Sequence, residues 1–203
     1  DYLGQENFTE ILVRSRPELV QSIHSSFLEK GADAVETNTF GANSLVLAEF
    51  GLEGDTRKLN QEAAEIARAA CVAAGGPRYV LGSIGPGTRL LTLGQTDWSA
   101  MHASYRRQIE GLLDGGVDAL LVETCQDPLQ IRCAVHAALH ALEARGMGPE
   151  QLPIMVSVTV ETTGTLLVGS EISAVASTLR RLPVASLGLN CATGPAEMTP
   201  HVE

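Results

Sequence analysis

The segment Ser186–Pro195 reads SLGLNCATGP and places a thiol where an apolar run stops. Val184–Leu189 has the composition of a strand buried on both faces. Asn190 and Cys191 follow it, and a Gly-Pro turn comes next. A cysteine delivered to a strand end is either a small packing residue or a thiolate able to act as nucleophile or metal ligand. Other apolar runs also end in polar groups: Glu36-Thr37-Asn38, Ser83, Glu123-Thr124 and Thr159. Glu36 and Glu123 supply the carboxylates of this set. Such groups hold a cationic substrate or work as an acid/base pair.

These positions need a scaffold, and the chain repeats one unit that would make it: a helix, a glycine, then a short apolar strand. Ser15-Arg16-Pro17-Glu18 reads as a capping box with proline in the first turn, opening a helix whose apolar stripe is Leu19, Ile23 and Phe27. Gly31 ends it, and Ala32–Phe40 follows as a strand with a polar end. A helix from about Asp55 to Ala74 faces Leu59, Ala63, Ile66, Ala70 and Cys71 inward, and RYVLGSIGPG supplies the next strand and turn. Ser99–Asp114 is the next helix, with VDALLVETCQD after it. Asp127-Pro128 then pairs an N-cap with an N1 proline, ahead of the stripe Ile131, Val135, Ala138 and Leu142. LPIMVSVTV, a helix near Glu171–Leu182 and VASLGLNC complete the series, and Thr199-Pro200 reads as the start of one more helix.

Continuous apolar strands alternating with helices predict an α/β protein with a parallel sheet. No G-x-G-x-x-G or G-x-x-x-x-G-K-[ST] follows a strand, so the nucleotide-binding open sheets lack their fingerprints. Polar residues at the ends of successive strands fit a (β/α)₈ barrel instead. Five strands are visible where a barrel has eight in ~250 residues, so residues 1–203 read as an incomplete barrel domain truncated at both ends. The net charge of −10 disfavours nucleic acid and anionic membrane as partners. No apolar run approaches the ~18 residues of a membrane-spanning helix. Four scattered cysteines do not make a disulfide framework, and a reducing cytoplasm is the expected setting.

GADAVETNTFGAN, GSIGPG, GGVDALLVETCQD, LPIMVSVT and GLNCATGP resemble, in order and spacing, stretches of the homocysteine S-methyltransferase family, most nearly its cobalamin-dependent branch. The resemblance implies a (β/α)₈ TIM barrel that transfers methyl to the thiol of homocysteine, giving methionine. It also implies a zinc held by three cysteines. Cys191 matches the one in the family's G-x-N-C motif. The other two form a Cys-Cys pair in a G-G-C-C-G segment, and no such pair occurs in this sequence, nor does the family's opening Asp-Gly-x-x-Gly-Thr. The matching glutamate, Glu123, would hold the substrate ammonium. Thr37, Phe40 and Ser83 would meet its carboxylate or line the pocket, with Asn190 orienting the turn beside Cys191; Glu36 matches a less constant position.

The same resemblance implies methylcobalamin as donor, carried on another domain, and downstream folate- and cobalamin-binding modules as partners. Betaine and S-methylmethionine are the alternative donors. With one cysteine of three, the isolated chain is expected to be inactive. It is also expected to be marginally stable, or to associate through its open edges. The rivals are a non-catalytic fragment and an unrelated barrel using Glu36 and Glu123 as acid and base. Cys71 and Cys133 read as packing residues, and Cys125 as one that could approach the rim. His136 and His140 read as a solvated or packed pair on the outer ring, and GSIGPG as a turn that brings backbone close to a ligand or a neighbouring strand.

Overall fold

The computed structural model describes residues 1–202. In chain order, α1 (Leu12–Ser15), α2 (Pro17–Glu29), β1 (Ala34–Glu36), α3 (Ser44–Leu47), α4 (Thr56–Ala74) and β2 (Tyr79–Ile84) form the first half. The second half comprises α5 (Trp98–Asp114), β3 (Ala119–Cys125), α6 (Pro128–Glu143), β4 (Ile154–Val158), α7 (Ile172–Leu179), β5 (Ser186–Leu189) and α8 (Pro195–Val202). The five strands are all parallel and lie in the order β1-β2-β3-β4-β5. Strict sequential order is what repeated right-handed crossovers produce along a barrel wall, whereas a doubly wound sheet reverses at a switch point. The fold is therefore α/β, an arc of a (β/α)₈ barrel, as the strand-end pattern predicts.

The helix–glycine–strand punctuation has a local cause. After α5, Gly116 at φ +77° turns the chain, the Val117 N–H donates to the Leu112 carbonyl and the Gly116 N–H to that of Leu113. This closes the helix end and aims β3 back along the sheet. At the opposite end of the unit, Asp127 caps α6 by accepting from the Leu129 N–H at 2.9 Å, with Pro128 at the first helical position. The Asp127 carboxylate is fully buried and also accepts from the N–H and hydroxyl of Thr92, so the cap ties the β2–α5 connection to α6.

The core lies between sheet and helices. Ile131, Val135, Ala138 and Leu142 of α6 are at most 1% exposed, in one cluster with Leu120, Val122 and Ile154 of the sheet. Each valine, leucine or isoleucine among them contributes ~1.5–3 kcal/mol by leaving water.

Several local expectations are overturned, among them the burial of β5 on both faces, since Ser186 to Gly188 are exposed. Ser15 does not cap α2: it belongs to α1, its buried hydroxyl has no partner, and Arg16 takes the N-cap position with no side-chain cap. The stripe Leu19, Ile23 and Phe27 is exposed, at 37%, 48% and 62%, because α2 turns Val20, His24 and Leu28 inward instead. Ile23 and Phe27 line an open groove of about 610 Å³ beside the β1 edge, with Val35, Glu36 and Leu81. The last helix begins at Pro195, not near Thr199, since Gly194-Pro195 supplies a turn and an N1 proline.

Candidate active site at the carboxyl ends of the strands

β1 stops at Glu36, and Thr37 to Phe40 form a loop rather than more strand. The Thr37 hydroxyl lies 2.6 Å from that of Thr39 and accepts from the Ser83 N–H at 3.0 Å, while Thr39 donates to the Ser83 carbonyl at 2.7 Å. These buried hydroxyls lace the β1 loop to the end of β2. Phe40, 42% exposed, accepts from the Gly85 N–H through its carbonyl. A Cβ on Gly85 would stand 2.6 Å from that carbonyl oxygen, so only glycine admits the crossing. GSIGPG is thus a turn that lets one loop ride over the neighbouring strand end, as the sequence predicts.

Ser83 donates to Glu123 Oε1 at 2.5 Å, fixing that carboxylate from the adjacent strand. Neither Glu123 nor Glu36 appears in any ion pair among the described residues. Burial first, and then the charge of Glu123, raise the Glu36 carboxyl above the ordinary carboxylate range. Two carboxylates without a bound cation make the mouth of the arc attractive to an ammonium group.

β3 carries an irregularity between Val122 and Cys125, and Thr124 within it adopts φ +59°. A β-branched residue in the left-handed region is strained, and bulges of this kind re-aim side chains beside functional sites. Asn190, at the end of β5, holds it. The Asn190 amide oxygen accepts from the Thr124 N–H at 3.2 Å and the Ser157 hydroxyl at 2.7 Å, and its nitrogen donates to the Thr124 hydroxyl at 2.7 Å. The Asn190 carbonyl accepts from Thr159 at 3.1 Å. Immediately beyond, Cys191 and Ala192 lie at φ +62° and +48°, and the Cys191 thiol is exposed.

The structure thus brings Ser83 and Glu123 together directly, and links Glu123's neighbour Thr124 to Asn190 and hence to the Cys191 turn. Thr37 and Phe40 stand on the adjoining loop. Ser157 escaped the sequence reading, although a polar residue two before Thr159 in an apolar strand marks the same face. Thr124 gave no signal of its conformation.

The cysteines divide sharply. Cys125 does not reach the rim: it is fully buried on the core side, and burial followed by the charges of Glu123 and Asp127 pushes its thiol up. Cys133 is also buried, which pushes it up to about 12. Among the described residues no three His, Cys, Asp or Glu side chains form a group able to hold a metal ion. The exposed Cys191 thiol is chemically suited to be one sulfur ligand of zinc, and it does not make a site by itself.

The sequence profile described as Homocysteine S-methyltransferase matches residues 3–203. The chain belongs to the homocysteine S-methyltransferase family. Methionine synthases of Mycobacterium tuberculosis (strain ATCC 25618 / H37Rv) and Mycobacterium leprae (strain TN) are each 47% identical to it over 205 aligned residues. Those alignments take in 100% of this chain and 17% of each methionine synthase, so the chain spans a small part of the relatives' length. Crystal structures of the homocysteine methyltransferase MmuM from Escherichia coli share the fold. The oxidized form matches with a TM-score of 0.70 at 26% identity, over 89% of this chain and 64% of that one. The metallated form gives 0.71 at 26% identity, over 89% and 65%. No helix among the described residues is long and apolar enough to cross a membrane.

Proposed function

We propose that this chain is the homocysteine-binding part of a methyltransferase that converts homocysteine to methionine. The observation that carries the proposal is the Glu123 carboxylate, oriented by Ser83 and without a cationic partner among the described residues, one residue from the backbone that Asn190 ties to the Cys191 turn. In this reading Glu123 receives the substrate ammonium in a charge-assisted contact, and Glu36 adds to the attraction without touching the substrate. The loop from Thr37 to Phe40 borders the same mouth and meets the substrate carboxylate or shapes the wall around it. Asn190 holds the bulge and the turn in register, so the anchored amino-acid end and the reacting sulfur keep a fixed separation.

Cys191 would supply one thiolate to a zinc whose other donors come from outside these 203 residues. When bound, zinc lowers the pKa of a coordinated substrate thiol, so the sulfur is presented as thiolate at neutral pH. The identity to methionine synthases supports methylcobalamin on a separate domain as the donor, with folate- and cobalamin-binding modules as partners in the parent protein, in the cytoplasm. Betaine or S-methylmethionine would serve the same site differently only at the donor side.

Glu123→Gln tests the anchor. It keeps a partner for Ser83 and removes the charge. Measured by calorimetry in the full-length protein, homocysteine affinity is expected to fall by at least tenfold, about 1.4 kcal/mol. Unchanged affinity together with loss of a hydrolytic activity would favour instead an acid/base role for the Glu36–Glu123 pair.

A further inference from the structure

On the helical layer, away from the strand ends, α5 and α6 bring three histidines together. His102 Nε2 lies 2.9 Å from His140 Nδ1. His136 precedes His140 by one turn on the same helix face, and their ring centroids are 6.3 Å apart. Trp98 packs edge-on against His136 at 6.1 Å. At 2.9 Å the two rings share a hydrogen bond, and two nitrogens bound to one tetrahedral zinc at ~2.0–2.1 Å stand roughly 3.3 Å apart, so a metal would replace the shared proton after an opening of a few tenths of an ångström.

The electrostatics suit ligation, because a metal takes the neutral imidazole. Burial, then the neighbouring His140 and Arg106, lower the proton affinity of His102. Burial, then Arg132 and His140, do the same for His136. Two cations face the cluster. Arg106 is engaged by Glu110 at 2.9 Å, which offsets part of its repulsion of a metal, and Arg132 remains as the opposing charge.

We propose that His102 and His140 form a second metal site, for a divalent ion of the imidazole-preferring kind such as Zn²⁺, Ni²⁺ or Cu²⁺, clipping α5 to α6. Water fills the remaining positions, and His136 is the nearest further imidazole. The site is independent of the methyl-transfer reading: it uses none of Glu123, Asn190 or Cys191.

The protein carries its own reporter, since Trp98 is the only tryptophan in the chain. The test uses the untagged full-length protein with Cys191→Ser, which removes the exposed thiol as a competitor, read against the same protein with Trp98→Phe so that only the Trp98 signal is followed. Titrated with Ni²⁺, it is expected to show saturable quenching of Trp98 fluorescence at one equivalent, displaced by Zn²⁺ and reversed by a chelator. His140→Ala and His102→Ala are each expected to weaken binding beyond the roughly 10–100-fold that loss of an outer-shell partner costs. Zn²⁺ binding to the folded state alone should also raise the melting temperature, and either histidine variant should abolish that rise. Quenching that does not saturate overturns the proposal, as do histidine variants that titrate like the parent.

Discussion

Thr124 sits at φ +59° with a β-branched side chain, a conformation costing of order 1–3 kcal/mol that survives only where its surroundings insist on it. What insists is one amide. Asn190 satisfies the Thr124 N–H and hydroxyl together, and Ser157 besides, so the strain is held across the sheet from β5. Asn190→Ala leaves those groups short of partners and is expected to cost about 1–3 kcal/mol in urea unfolding. Adding Thr124→Gly removes the positive-φ strain and should restore part of that loss. A double variant no more stable than Asn190→Ala alone would contradict the latch. The amino-acid types at this site were legible: a thiol, two carboxylates and several hydroxyls at strand ends. The latch was not, because a threonine's positive φ is imposed by tertiary contacts and leaves no mark in the local sequence.

Helix α2 shows how an element can be foreseen and its orientation missed. Leu19, Ile23 and Phe27 make the more apolar stripe, yet Val20, His24 and Leu28 face the interior. The polar His24 in the second stripe hid it. His24 is 7% exposed, its Nε2 has no partner, and burial lowers its proton affinity. The unfolded chain, at the ordinary value of about 6.5, therefore takes up the proton before the folded one does. The stability that follows is full above that value and is lost as pH falls through it toward the folded one. His24→Leu is expected to flatten the decline in urea midpoint between pH 7 and pH 5. A residual slope remains from His102 and His136, which are shifted in the same direction. An unaltered slope in the variant would show that His24 is not titrating as a buried group. By contrast α4, α5 and α6 were legible as helices to within a residue or two, because glycines follow all three, apolar stripes mark α4 and α6, and Asp127-Pro128 marks the start of α6.

At the scale of the molecule, strand order gives the clearest link between sequence and architecture. Helix-sized spacing between continuous apolar strands predicts parallel crossovers, and the polar strand ends predict one working face. The five parallel strands in sequential order meet both. β1 and β5 are the outer strands of this sheet among the described residues, and the exposed apolar face of α2 opens beside β1. The same arc superposes on about two thirds of the MmuM chain. The two open edges and the exposed strand-end thiol are what the proposed reading expects of a site whose remaining zinc donors come from outside these 203 residues.

Cys191 is the residue at which shared zinc ligation is tested most directly. In the full-length protein, Cys191→Ser should be measured for zinc content by elemental analysis and for methionine formation from homocysteine. Loss of the bound zinc together with loss of methyl transfer is the predicted result. A variant that keeps one zinc per chain and ordinary turnover would contradict it.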